Sequence, residues 1–268
     1  MMNEPKNSYE VLLRDLQDET AELISLMDRY DLDILGVETP ADGWDVADSI
    51  NHLTYFDRAL ITAISDPDKF NVEREDLIRG GTDFATQLMR KLAKDKVLEA
   101  FREARAQLIE HLSKVDPKVR VPWYGPDMSA MSAASARLME TFAHGLDIYD
   151  ALGQQKVFTD RIAHICFLGW STISFSFAVN GQAPPTQGFY LELDLPSGAK
   201  FTKGDIEAPN QISGSAIDYA LVVTQRRIAA TTDLSIVGDQ ALTYIKYAQA
   251  FAGPPSSVDE SRRRLDKA

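Results

Sequence analysis

Only four histidines occur in the chain, so the surroundings of each one can be weighed for the chemistry it could perform. With about 100° of rotation per helical residue, His52 shares a face with Ser49, Phe56, Ala59 and Ala63. Asn51, Thr54 and Arg58 are expected to point away, so His52 is expected to face a core. In the later stretch METFAHGLDIYDAL, Glu140 and His144 leave one helix a turn apart on the same face, and Asp147 continues that stripe. The stripe otherwise carries Ala133, Ala136 and Ala151, small residues that leave space. Leu138, Phe142, Leu146 and Tyr149 occupy the opposite side, which should be buried by another element or subunit. A glutamate and a histidine directed into a helical core carry a heavy desolvation cost unless they are paired or bound to metal. Two imidazoles and one carboxylate from facing helices suit Zn²⁺, Ni²⁺ or Fe²⁺, with positions left open for water or substrate. The alternative is an internal Glu–His hydrogen bond with no metal.

The other reactive side chains read more plainly. His111 lies near a helix end, where the helix dipole stabilises a cation, and is expected to be structural. His164 has no such assignment: ligand and core roles are both open to it. The single cysteine, Cys166, lies in the apolar stretch IAHICFLGW and reads as a buried structural thiol. Trp123, Tyr124 and Met128, in the loop VPWYGPDMS, are candidates for a substrate-binding pocket wall, or else for an aromatic loop packed on the helices.

The elements that must position these residues follow from periodicity and punctuation. Tyr9, Leu12, Leu13, Leu16, Leu23, Ile24 and Met27 recur at amphipathic helical spacing. After the turn-rich GVETPADG, Asp45 can cap a second helix that runs to about Ser65. A third helical region spans Asp83 to Val115, with an interruption near Lys94 to Lys96, and ends at the Asp-Pro of VDPKV. A long fourth helix runs from about Ser129 to Leu152 and stops at Gly153. Four helices joined by loops predict an antiparallel bundle over residues 1–155. From there the pattern changes. FTDRIAHICFLGWSTISFSFAVNG reads as one further helix. Alternating Tyr190, Glu192 and Asp194 against Leu191, Leu193 and Leu195, then Ser-Gly, marks a hairpin. SAIDYALVVTQRRI and DQALTYIKYAQAF read as helices, with DLSIVG a short strand between them. The expectation is a mainly α, α+β protein whose smaller C-terminal α+β domain covers 156–255, followed by a flexible tail over 256–268.

Composition narrows the function classes. The 268 residues are 44% hydrophobic and 25% charged, which argues against disorder and fibrous folds. A formal charge of −12 opposes sequence-independent binding to nucleic acid. The one basic cluster, Arg262 to Arg264, sits among Ser, Asp and Glu, as in a solvated tail. No apolar run reaches the roughly 18–20 residues of a membrane span, and the first residues do not resemble a secretion signal. A cytoplasmic protein acting on a small molecule, as monomer or homodimer, is therefore expected.

The segments TPADGWDVADSINHLTYFD and ARLMETFAHGLDIYDALG together resemble the DinB-like metal-dependent superfamily, in particular the branch of mycothiol-dependent maleylpyruvate isomerase. The resemblance covers nearly the whole chain. It implies a DinB-like bundle binding a divalent metal, typically zinc, through His52, Glu140 and His144, and a low-molecular-weight thiol as cosubstrate. It further implies an active-site arginine, matched by Arg226 in SGSAIDYALVVTQRR, with Arg227 competing. The family's pattern has Gly before that arginine, where this chain has Gln225. The loop VPWYGPDMS is more like that of an uncharacterised metal-binding subgroup than that of the isomerase, so the resemblance leaves the substrate open. The implied activity is thiol-dependent isomerisation or thiol S-transfer on a small electrophilic acid. Two alternatives share the site: a metal-dependent hydrolase that activates water, with Glu140 or Asp147 contributing a carboxylate, and a metal-stabilised, non-catalytic ligand-binding protein.

Overall fold

The buried stripe Tyr9, Leu12, Leu13, Leu16, Leu23 and Met27 is the core-facing side of α1 (Glu4–Met27). Here and below the structure is a computed structural model, which describes residues 4–80, 84–251 and 253. It divides into two compact units, 1–155 and 156–268. The expected helix start at Asp83, the tail 256–268 and its cluster Arg262 to Arg264 lie outside the described residues.

In the first unit, α1 is followed by α2 (Val46–Ser65), α3 (Pro67–Gly80), α4 (Phe84–Met89), α5 (Val97–Lys114) and α6 (Ala130–Ala151). A two-stranded ribbon, β1 (Arg120–Val121) and β2 (Met128–Ser129), pins the ends of the loop between α5 and α6. The four long helices close a ring: α2 packs on α5 and α6, and α1 packs on the same two. This is the four-helix bundle expected from the sequence. Local chemistry sets the element ends. Asp45 and Asp48 form a reciprocal capping box at the start of α2, at 2.8 and 3.2 Å. Ser129 caps α6 through Ser132 N–H at 3.1 Å. The short turn at Lys94–Lys96 separates α4 from α5, as the interruption in the pattern anticipates.

Two expectations for this unit need correction. Residues 67–80 form α3, which helical spacing alone did not reveal. Its signal was local: Asp66 caps Lys69 N–H at 3.0 Å, and Pro67 stands at the first helical position, where its missing N–H costs nothing. Asn51 and Thr54 do not point to solvent; both are buried, and only Arg58 is exposed. α2 packs against both α5 and α6, so its buried face is wider than a single stripe. The apolar side of α6 is buried as expected. Phe142 is fully buried, Tyr149 hydroxyl lies 3.3 Å from Glu22 of α1, and Leu23 of α1 lies beside Gly145.

The second unit contains α7 (Ile162–Ser171), α8 (Ile173–Val179), β3 (Phe189–Asp194), β4 (Lys200–Gly204), β5 (Asn210–Ser215), α9 (Ala216–Val223), β6 (Ser235–Val237) and α10 (Asp239–Tyr247). The sheet order is β4-β3-β5-β6. β3 and β4 form the expected hairpin, β5 runs parallel to β3, and β6 is antiparallel to β5. Leu191 and Leu193 face the core from β3 while Asp194 is exposed. β5 escaped the sequence pattern because its inward residues are Asn210 and Ile212, a polar and an apolar side chain. Asn210 belongs there because its Oδ1 accepts from the Gln240 and Ala241 N–H groups at the start of α10. The expected single helix through Trp170 is two, bent by 56°. The break falls at Thr172, whose hydroxyl donates to the Leu168 carbonyl at 2.9 Å. Among the described residues no single helix is long and apolar enough to cross a membrane.

Candidate metal centre

His52 comes from α2, while Glu140 and His144 come from adjacent turns of α6. Their side chains converge. Glu140 Oε2 lies 3.3 Å from His52 Nε2 and 3.3 Å from His144 Nε2. The three side chains are 18%, 22% and 11% exposed, so the cluster is nearly enclosed yet reachable. Among the described residues this is the one group of three or more His, Cys, Asp or Glu side chains close enough to share a metal ion; each offers one ligand atom, all within 4.8 Å of one another.

The spacing fits a metal. A tetrahedral ion with ligands at about 2.0–2.1 Å holds adjacent donor atoms about 3.3–3.4 Å apart, and both donor separations from Glu140 have that value. Two imidazoles and one carboxylate also leave a fourth position for an exogenous ligand. Burial, and then the neighbouring His144, bring the His52 pKa down to about 4, so its ring is neutral at physiological pH. For Glu140, burial pushes upward, but hydrogen bonds from His144 and His52 outweigh it and hold the carboxyl well below its ordinary range. Neutral imidazole beside carboxylate is the protonation state that a metal requires.

The surroundings of the cluster are ordered. Asp147 Oδ2 lies 3.4 Å from His144 Nδ1, the ring nitrogen turned away from Glu140. A carboxylate on the far nitrogen of a ligating histidine fixes its tautomer and orientation. Trp44 stacks on the His144 ring with centroids 5.4 Å apart and lies 5.1 Å from the His52 ring. Phe56 flanks His52 at 4.7 Å.

Of the residues singled out from sequence, Trp123 and Tyr124 join an aromatic group that reaches the cluster through Phe56, at 6.1 and 5.5 Å. Met128 lies on β2, paired with Val121. Arg226 and Arg227 belong to the second unit and sit just beyond α9, where their Nη1 atoms donate to the carbonyls of Thr224 and Arg226, each at 2.7 Å. Gln225 is the one non-glycine residue with positive φ among those described, at 61°. His111 bonds its own helix at Gln107 O, and His164 lies on α7. Cys166 is fully buried, and burial pushes its thiol upward, away from the reactive form.

Sequence reasoning missed the charged layer of the bundle. Asp57 of α2, fully buried, binds Arg105 of α5 at 2.7 Å and Arg137 of α6 at 3.0 Å. Arg105 also donates to Thr20 of α1, so all four bundle helices share one network. Arg137 lies over the Phe56 ring at 5.9 Å, on the residue that flanks His52. The available signal was Arg105 itself, which interrupts the apolar stripe Phe101, Leu108, Leu112 of α5.

Comparison with known proteins gives the family of the chain. Residues 16–149 match the family described as mycothiol maleylpyruvate isomerase N-terminal domain. The chain belongs to this family. Two uncharacterized proteins from Mycobacterium tuberculosis, one from strain CDC 1551 / Oshkosh and one from strain H37Rv, are each 39% identical to it over 244 residues, covering 90% of this chain and 95% of theirs. Among solved structures, the crystal structure of the mycothiol-dependent maleylpyruvate isomerase superposes with a TM-score of 0.56 at 15% identity, covering 92% of this chain and 96% of that one. A histidine-to-alanine mutant of that isomerase matches equally. The likeness extends across both units and, at such low identity, concerns the fold.

Proposed function

We propose that this member of the family is a metal-dependent enzyme that uses a low-molecular-weight thiol, acting as an isomerase or thiol S-transferase on a small electrophilic acid. The observation carrying this reading is the convergence of His52, Glu140 and His144, with donor separations of 3.3 Å, inside the bundle of that family. A divalent metal, when bound, supplies a Lewis acid that stabilises a coordinated thiol as its nucleophilic thiolate. Zinc is the first choice for two imidazoles and a carboxylate, with nickel or iron as alternatives.

The chain's own residues hold the site in readiness. Glu140 stays ionised and His52 neutral, so neither must lose a proton before a cation is held. Asp147 acts here as a positioning residue: it touches His144 on the nitrogen that a metal would not use. Trp44 and Phe56 cover the two imidazoles with apolar rings and limit the access of water. Arg226 and Arg227 are the guanidinium candidates for a substrate or thiol carboxylate, a contact that such groups make with charge assistance. The cosubstrate class follows the family's name, in which the thiol is mycothiol.

The test is a thermal-shift and turnover comparison of metal-loaded and metal-stripped protein with a panel of cytosolic thiols. A thiol that raises Tm only in the loaded protein, and an electrophile consumed only in its presence, is the expected result. Turnover without any thiol would instead support the water-activating hydrolase and reject the thiol reading.

A further inference from the structure

Around the cluster, the first unit presents aromatic rings against the histidine pair. Trp44 lies against both imidazoles. Phe56 leads from His52 to Trp123 and Tyr124. These four rings are neither core nor fully exposed: each is half-buried, as expected of a surface that receives a ligand. The fully buried ring of the group is Phe70, which stacks on Trp123 with centroids 5.8 Å apart and planes 5° apart and so backs it from the interior.

The loop bearing Trp123 and Tyr124 is held by polar anchors that packing alone would not need. Arg74 of α3 donates to the Trp123 carbonyl at 3.2 Å. Tyr124 also packs edge-on against the buried Phe70 ring, with centroids 5.2 Å apart. The β1–β2 pairing closes the loop at its base. Trp44 is braced in the same way: its carbonyl accepts from Thr39 N–H at 2.9 Å, and its own N–H reaches Ala41 O at 3.0 Å. Rings fixed by their backbones before a ligand arrives offer contact area at little entropic cost.

We propose that Trp44, Phe56, Trp123 and Tyr124 form the binding wall for the electrophile, and that this electrophile is a planar conjugated acid with an aromatic ring rather than a short aliphatic diacid. This rests on reading the cluster as the reaction centre. Flat π systems pack on such rings in offset or edge-on geometry, whereas a short diacid would need a cation at the wall for its second carboxylate, beyond the one a bound metal could take. Both guanidinium groups that touch this wall are already committed, Arg137 over Phe56 to Asp57 and Arg74 to the Trp123 carbonyl.

The experiment uses the full-length protein loaded with one equivalent of zinc, without thiol, so that binding is read without turnover. Isothermal titration calorimetry compares trans-cinnamate with maleate: both are α,β-unsaturated carboxylates, but cinnamate carries a phenyl ring on a trans double bond where maleate carries a second carboxylate on a cis one. The wall predicts cinnamate binding at least ten-fold tighter than maleate. It also predicts a loss of about ten-fold in cinnamate affinity in Trp123→Leu, and separately in Tyr124→Leu, with zinc content and maleate affinity unchanged. Having two variants guards against one that fails to fold. Maleate binding as tightly as cinnamate, no binding of either, or unchanged cinnamate affinity in both zinc-loaded variants would overturn the proposal. Zinc content is measured on the same samples, so loss of the metal reading and loss of the wall are separate results.

Discussion

Asp147 touches the one nitrogen of His144 that faces away from Glu140, and this position decides what its removal should do. Asp147→Asn keeps the shape but loses the charge, and metal affinity should fall about 10- to 100-fold while the far-ultraviolet spectrum is unchanged. Competition with a chromogenic chelator measures this; an unchanged affinity would reduce Asp147 to packing. The acid response of the metal-free protein follows from the same group of residues. His52 is brought from 6.5 to about 4 on folding, so between those values the unfolded chain binds more protons and stability drops as pH falls. Glu140 is depressed as well, and its contribution is likewise lost toward acid. Chemical denaturation should therefore show stability that is level above about pH 6.5 and declines toward pH 4, beyond the loss in a His52→Phe variant. The three clustered residues were legible because helical phase alone brings Glu140 and His144 to one side. Trp44 was not, because it lies in a turn, where periodicity says nothing about direction.

The two helix ends at Gly153 and Gln225 show how far an element can be read from its punctuation. After α6, Gln154 N–H bonds Tyr149 O at 2.9 Å and Gly153 N–H bonds Asp150 O at 3.2 Å, with Gly153 at φ 61°. After α9, Arg226 N–H bonds Leu221 O at 2.8 Å and Gln225 N–H bonds Val222 O at 2.9 Å, with Gln225 also at φ 61°. Both are Schellman closures, but only one has the residue suited to it. This explains the missing glycine before Arg226: the left-handed turn is kept, and Gln225 carries its strain. Gln225→Gly should stabilise the protein by about 0.5–1 kcal/mol, and Gly153→Ala should destabilise it by about 1 kcal/mol, both read from denaturant midpoints. A glutamine gives no stop signal, and the sequence pattern accordingly ran the helix through Gln225 to Ile228. β5 was hidden for a different reason: its partner strand β3 is parallel and distant in sequence, so no turn residue announces the pairing.

At the scale of the whole molecule, the bundle is tied together by charge as well as by apolar packing. Asp57 serves two buried guanidinium groups from different helices, and removing it leaves both uncompensated. Asp57→Ala should therefore cost about 3–5 kcal/mol, measured by urea unfolding; a cost under about 1 kcal/mol would show that the network contributes little. The same network reaches His52 through Arg137 and Phe56, so it adjoins the cluster. The fold class could be read from sequence because four amphipathic helices and a hairpin each carry a local signal, while the charged layer depends on helices far apart in the chain. The central claim is that His52, Glu140 and His144 hold one metal ion between α2 and α6. Elemental analysis of the purified protein and of His52→Ala and His144→Ala tests it most directly. About one equivalent of divalent metal per chain, lost in both variants while they remain folded, is the predicted result; full occupancy in both variants would contradict it.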